Sequence, residues 1–253
     1  CTLFLRSNRG ISLTQEGKKL YEHVAIAYEQ LQIGEEEIRQ NGELENGLVS
    51  IGASENALRL VLLSRLEKFH EQYPHVRLRI SNHSTPQAIQ ALTSDIVDFA
   101  AVTTPLDIKS PLEKIPLASY REILIGGRKY KKLAEHTQKL EDIASLPFIS
   151  LDENSSTREL YTQYFMRHNL PFSPDMEVAT TDQIFPMVQH NLGIGFFPEE
   201  LAAEHIAQGK IVQIPIEEPL PERKICLIRN VKRPQSIAAR SLEEHLTSHR
   251  ETE

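Results

Sequence analysis

From Leu20 onward the apolar positions recur at alternating steps of four and three: Leu20, Val24, Ala27, Leu31, Gly34 and Ile38, with Glu and Gln filling the outward positions. That is the a/d rhythm of a coiled-coil seam, and it predicts one long helix ending near Gln40. Thr14 is placed to cap its first turn, with Gln15 and Glu16 supplying polar and acidic groups there. Gly17 at the third helical position leaves no reciprocal capping box. A helix with one narrow apolar stripe and no neighbouring helix in sequence needs a cover, either a second copy or the chain's own body. Asn41-Gly42 and Asn46-Gly47 punctuate the chain as a linker does and favour the second copy. Ahead of the helix, residues 1–13 carry a short apolar run, the turn-forming Ser7-Asn8-Arg9-Gly10, and Ile11-Ser12-Leu13, which together read as a small hairpin.

At Leu48 the pattern changes. Leu48 to Ala53 is a short apolar strand, Ser54 caps a helix to about Tyr73, and Pro74 stops it. Val76 to Ser81 is a second strand, Thr85 caps a helix to about Asp95, and Val97 to Val102 is a third strand. This alternation predicts a parallel sheet with right-handed crossovers. The pattern then restarts. Leu146 to Leu151 is a strand, Ser155-Ser156-Thr157 leads into a helix through about His168, and Met176 to Thr180 is a strand. Thr181-Asp182 caps a helix to about Asn191, Ile194 to Phe197 is a strand, Pro198-Glu199-Glu200 opens a helix, and Ile211 to Ile214 closes the set. The expectation is therefore an α/β protein with two lobes, joined by the apolar strands Glu122 to Ile125 leading out and Ile225 to Ile228 leading back. A last helix from Ser236 to about His249 docks on the first lobe.

The 253 residues, 40% hydrophobic and 25% charged, suffice for several ordinary cores. No apolar run is long enough to span a bilayer and no signal-peptide pattern opens the chain, so no membrane partner is expected. The abrupt Cys1-Thr2-Leu3-Phe4 reads as a chain whose beginning is missing. The net charge of −7 argues against a nucleic-acid binder until its distribution is read. Arg6, Arg9, Lys18 and Lys19 crowd the first stretch against Glu16, whereas the following stretch carries seven glutamates against Arg39. A basic tip on an acidic body marks one specialised end. Cys1 and Cys226 make neither a disulfide framework nor a metal-ligand spacing, and Cys226 reads as a buried structural thiol, in keeping with a reducing cytosol.

The stretch Leu3-Phe4-Leu5-Arg6-Ser7-Asn8-Arg9-Gly10-Ile11-Ser12-Leu13-Thr14-Gln15-Glu16-Gly17-Lys18-Lys19-Leu20 resembles the end of the winged helix-turn-helix in LysR-type transcriptional regulators. Val49 to Ala53 with Leu62, Leu63, Leu66, Phe69 and Tyr73-Pro74 is similar to that family's first sensor strand and helix. Thr181-Asp182 through Val188, with Leu192-Gly193-Ile194-Gly195-Phe196-Phe197-Pro198, is similar to its second-lobe signature. The resemblance implies a two-lobed, periplasmic-binding-protein-like sensor behind a linker helix. Residues 1–13 would be the wing remnant of a winged helix-turn-helix and 14–42 the linker and dimerisation helix. Residues 47–253 would be the effector-binding domain, with lobe I at about 48–124 and 226–253 and lobe II at about 125–225. Arg6 and Arg9 would contact DNA from the wing, and Leu20, Val24, Ala27, Leu31 and Ile38 would form the seam of a dimer that assembles further into a tetramer. The implied protein is a cytoplasmic DNA-binding regulator and not an enzyme.

Ligands of such lobes bind between them, at the carboxyl ends of strands. Ser54, Thr103, Thr104, Ser155, Ser156, Thr157, Thr180 and Thr181 stand at such ends, several of them also at helix N-termini where the dipole favours an anion. Each alone is equally an ordinary cap. Together they predict a small organic acid or amino-acid-like effector, with Phe196 and Phe197 walling an apolar part. Arg121 and Arg158 are candidate counter-charges, or simply solvated. No nucleotide fingerprint, HExxH motif or Ser/His/Asp pattern supports an enzyme, and no cofactor or metal is implied; His245 and His249 alone are too few for one. The alternative is an extracytoplasmic solute-binding protein using the same lobes, against which the basic hairpin and seam helix argue. A redox sensor is disfavoured because Cys226 has no resolving partner in the lobes.

Overall fold

The computed structural model describes residues 1–7, 10–39 and 47–248, with side chains at all of these except 6, 7 and 34–39. Strands β1 (Phe4–Ser7) and β2 (Gly10–Leu13) pair antiparallel with Ser7 opposite Gly10. Helix α1 (Gln15–Arg39) follows at once. Thr14 caps it as expected, its Oγ1 accepting from the Gly17 N–H at 2.9 Å. Gly17 has a packing reason: a Cβ there would sit 2.1 Å from the Leu3 carbonyl oxygen, so only glycine lets the hairpin lie against the first turn.

The apolar stripe of α1 is left uncovered. Leu20, Val24, Ala27 and Leu31 are exposed, and Tyr21 and Tyr28 widen the stripe on one side. Ile38 belongs to α1, but its side chain lies outside the described residues. The opposite face leans on the body: Glu29, Gln30 and Ile33 are half-buried, and Glu29 pairs with Arg79 at 2.7 Å.

From residue 48 the chain runs β3 (Leu48–Ala53), α2 (residues 55–72), β4 (Arg77–Asn82), α3 (Thr85–Thr93), β5 (Phe99–Thr103), β6 (Leu112–Tyr120) and β7 (Glu122–Gly126). A 3₁₀ segment, Arg128–Glu135, leads to α4 (Leu140–Ile143), β8 (Ile149–Leu151), α5 (Ser156–Arg167), β9 (Met176–Val178) and α6 (Thr181–Gln189). The chain ends with β10 (Ile194–Pro198), α7 (Glu199–Ala207), β11 (Val212–Ile214), β12 (Arg223–Asn230) and α8 (Ile237–Ser248). Helix α2 contains a π-helical turn at Leu58–Leu62.

The first sheet has the order β4-β3-β5-β12-β6. β3 is parallel to β4 and β5, as the strand–helix alternation predicts, whereas β12 is antiparallel to β5 and β6 and makes the sheet mixed. The edge strand β6 was not anticipated. It holds Pro116 and is preceded by Pro111, and an edge is where a strand tolerates proline. The second unit repeats the arrangement. β9 and β8 are parallel, the bridge between Phe148 and Ile194 carries β8 to β10, and β7 lies antiparallel between β10 and β11. In each unit the fourth strand is a crossing strand: β7 leaves the first unit to complete the second sheet, and β12 returns to complete the first. Each sheet is covered on both faces by apolar clusters. Cys226 on β12 is buried, and burial pushes its thiol up. Asn191 ends α6 in the left-handed region at φ 62°, a conformation asparagine accepts.

Candidate functional site

Four helices direct their N-termini at one cleft between the units. α2 and α3 belong to the first unit and α5 and α6 to the second. Ser54 caps where the sequence placed it and Ser155 opens the hydroxyl run expected to lead into α5, whereas α3 and α6 are capped one residue earlier than expected, by Ser84 and Thr180 rather than Thr85 and Thr181. Ser54 Oγ accepts from the Ala57 N–H at 3.4 Å and Ser155 Oγ from the Thr157 N–H at 3.2 Å. Ser84 and Thr180 form reciprocal capping boxes with Gln87 and Gln183. Each cap satisfies part of a first turn, and the remaining N–H groups and helix dipoles favour negative charge at those ends, beside the one carboxylate of the lining, Glu55.

The lining is Ser54, Glu55, Asn56, Asn82, His83, Ser84, Thr85, Thr103 and, from the second unit, Leu151, Ser155, Thr157, Ala179, Thr180 and Thr181. Buried Asn56 places Nδ2 3.4 Å from the Tyr120 hydroxyl and leaves its Oδ1 without a partner. As placed, the Nδ2 donates to Tyr120 and the free atom is an acceptor. Burial holds the His83 imidazole below its ordinary value, favouring the neutral ring. The cavity is about 40 Å³, room for a few waters rather than an organic ligand.

Two contacts join the units beside it. At the rim, Arg59 in the π turn of α2 pairs with Asp182 in the first turn of α6. At the floor lies a buried polar cluster centred on Arg223, 1% exposed, and Glu122, 2% exposed. Arg223 Nη1 donates to Glu122 Oε2 at 2.6 Å and Tyr161 Oη donates to the same oxygen at 2.6 Å. Arg223 Nε donates to the Thr104 carbonyl at 2.7 Å, and Nη2 donates at 3.0 Å to Thr103 Oγ1 and at 3.0 Å to Thr157 Oγ1. The guanidinium also sits 5.5 Å from the Tyr120 ring centre. Burial alone would lower the Arg223 pKa, but Glu122, Tyr120 and Tyr161 together outweigh that and hold it above its usual value. The cluster joins Thr103 and Tyr120 of the first unit to Thr157 and Tyr161 of the second.

Of the hydroxyls singled out from the sequence, Ser54, Thr103, Ser155, Thr157, Thr180 and Thr181 line the cleft. Thr104 and Ser156 do not. Thr104 belongs to the floor behind it, its Oγ1 accepting from the Lys224 N–H at 2.9 Å. The placement of Phe196 and Phe197 as a cleft wall is corrected. They lie on β10, a central strand covered on both faces, so period-two alternation sends them into opposite cores. Phe196 stacks on Tyr161, ring centres 3.8 Å apart, and Phe197 joins the cluster around Ile123 and Ile125. Arg121 is exposed outside the cleft, and Arg158 is held by Glu177 at 2.9 Å over Phe172.

Ser84 and Thr85 also line the cleft, and they stand after a strand and at a helix start as Ser54 and Thr181 do, so the same local rule reaches them. Arg223 and Glu122 are 101 positions apart, and nothing local marks them. The side chain of Arg6 and the whole of Arg9 lie outside the described residues. A larger groove of about 680 Å³ runs past Arg121, Glu199, Glu200 and Glu222; its acidic charge makes it a poorer seat for an anion. Among the described residues no group of three or more His, Cys, Asp or Glu is placed to hold a metal ion, and no helix is long and apolar enough to cross a membrane.

Residues 42–251 match the model of the LysR substrate binding domain. A probable RuBisCO transcriptional regulator from Trichormus variabilis is 28% identical over 254 residues, covering 96% of this chain and 74% of that protein. YeiE of Escherichia coli, an uncharacterised HTH-type transcriptional regulator, is 23% identical, covering 94% and 79%. Among solved structures, the effector binding domain of QuiR in complex with shikimate aligns with a TM-score of 0.71 at 17% identity, covering 81% of this chain and 97% of that one. The CcmR regulatory domain from Synechocystis in complex with 2-PG gives 0.71 at 15% identity, covering 80% and 97%. These two likenesses are of fold.

Proposed function

Because this chain belongs to the LysR family of transcriptional regulators, we propose that its cleft binds a small organic acid or amino-acid-like anion and thereby alters how copies of the protein sit on DNA. The observation that carries the reading is the convergence of four capped helix N-termini, two from each unit, on one cleft. Such a cleft offers first-turn N–H donors and hydroxyls backed by helix dipoles, the chemistry that suits a carboxylate. That neighbouring domains are solved with shikimate and with 2-PG supports a small-molecule occupant.

The domains divide accordingly. Residues 1–13 are the wing of the DNA-binding domain, 14–42 the linker helix, and 47–253 the effector domain, with lobe I at about 48–124 and 226–253 and lobe II at about 125–225. Arg6 and Arg9 of the wing reach DNA phosphates or a minor groove, positioning the protein rather than specifying sequence. The uncovered stripe of α1 supports a dimer joined at Leu20, Val24, Ala27, Leu31 and Ile38, which assembles further into a tetramer. An effector that grips both lobes shifts the population toward one lobe geometry, which the oligomer carries to the DNA-binding heads. The protein works where the chromosome is, in the cytoplasm. The reading assigns the cleft no catalysis.

Calorimetry of the protein against a panel of small carboxylates, amines and neutral sugars tests this. Saturable binding of a carboxylate, lost in Thr181→Val, is the expected result. Tight binding confined to a cation or a neutral sugar contradicts it.

A further inference from the structure

We infer that Arg223 is a positioning residue of the effector site, one that fixes the Thr157 and Thr103 hydroxyls from behind so that both lobes present ordered polar groups to the ligand without the guanidinium touching it. The inference rests on the effector reading above and adds to it the group on which anion recognition depends.

The proton accounting supports it. Thr157 Oγ1 accepts from Arg223 Nη2 at 3.0 Å, so its own O–H is the group left to donate. Thr157 is the second residue of α5, where no helical carbonyl lies four residues back to take that proton. It lines the cleft, whereas Arg223 does not. Arg223 therefore makes Thr157 a donor facing the ligand. On the other lobe Nη2 also reaches Thr103 Oγ1, which likewise lines the cleft and interacts with the Tyr120 hydroxyl. Tyr120 in turn accepts from Asn56 Nδ2 at 3.4 Å, and Asn56 also lines the cleft. One buried cation thus organises a polar group of each lobe. Glu122, held by Arg223 and Tyr161, balances its charge and fixes its plane.

A fork is required for this. Four of the five guanidinium donors are committed, to Glu122, the Thr104 carbonyl, Thr103 and Thr157. A lysine ammonium has the charge but three donors radiating from a single atom, and cannot hold the same four partners.

The test is calorimetry of the full chain with sodium acetate, shikimate and 2-PG, alongside circular dichroism and thermal melts. Arg223→Lys is expected to weaken binding about tenfold to a hundredfold, the scale of a lost charge-aligned hydrogen bond. Thr157→Val should lose a similar factor and Thr157→Ser, which keeps the hydroxyl, little. Arg223→Lys combined with Thr157→Val should lose scarcely more than Arg223→Lys alone, because the single substitution already removes the Thr157 donor; a purely structural role gives losses that multiply. The double substitution Glu122→Gln with Arg223→Met removes both buried charges, and it should fold but still bind tenfold or more weakly. Wild-type affinity in that variant or in Arg223→Lys, or losses that multiply, overturns the inference. Failure of both variants to fold also overturns it, making Arg223 a structural residue. If the wild type binds none of the three anions, the effector reading itself falls first.

Discussion

Substituting Leu31→Asp tests the uncovered stripe of α1. Leu31 is 70% exposed in the single chain, with Val24 at 51% and Leu20 at 45% on the same face. Complete burial of a leucine side chain stabilises by about 1.5–3 kcal/mol, so the part of Leu31 still exposed offers about 1–2 kcal/mol to a partner. In a dimer the change occurs twice, removing about 2–4 kcal/mol of apolar burial before any cost of setting a carboxylate in the seam is added. The dissociation constant should rise by roughly 30- to 1,000-fold. Sedimentation equilibrium across a range of concentrations reads this directly, while circular dichroism checks that the two α/β units stay folded. A wild-type chain that remains monomeric at high concentration, or a Leu31→Asp chain that associates as the wild type does, would refute the reasoning.

Three further outcomes follow from the geometry. Phe197→Ala should destabilise the protein by about 3–5 kcal/mol in urea melts, as core aromatic truncations do, while leaving anion affinity in the folded protein within about twofold; a selective loss of affinity would restore Phe197 to the cleft wall. Because burial lowers the His83 pKa from 6.5, the unfolded chain takes up that proton first, and destabilisation sets in as pH falls below 6.5 and is complete below the folded value. His83→Gln should therefore flatten the fall in urea midpoint between about pH 7 and 5, and an unchanged slope would count against it. Arg59→Ala should speed effector association in stopped-flow up to about fivefold with little change in melting, since the partly exposed Arg59–Asp182 pair is worth no more than about 1 kcal/mol; slower association would argue against a rim that must open.

Local rules found what local forces determine. The Thr14 cap, the Ser54 and Ser155 caps and the strand–helix alternation follow from hydroxyls and apolar periods within a few residues of one another. Strand β6 escaped because Pro116 and the alternating Glu113 and Lys114 disguise an edge strand as a loop. Phe196 and Phe197 misled because a strand covered on both faces looks no different in sequence from one that borders a cleft. Arg223 was invisible for a deeper reason. Its role depends on Glu122 and Thr157, brought to it by two crossing strands and a helix from the other unit, and no period within the chain encodes that meeting.

The central claim is that an anion sits where the helix N-termini of both lobes converge. A crystal structure of the chain with a carboxylate that calorimetry shows to bind tests it most directly. The account predicts density for the carboxylate group between the first turns of α2 and α6, at Ser54 and Thr181, with Thr157 within hydrogen-bond distance. Density instead in the acidic groove beside Glu199, Glu200 and Glu222, with the cleft unchanged, would contradict it.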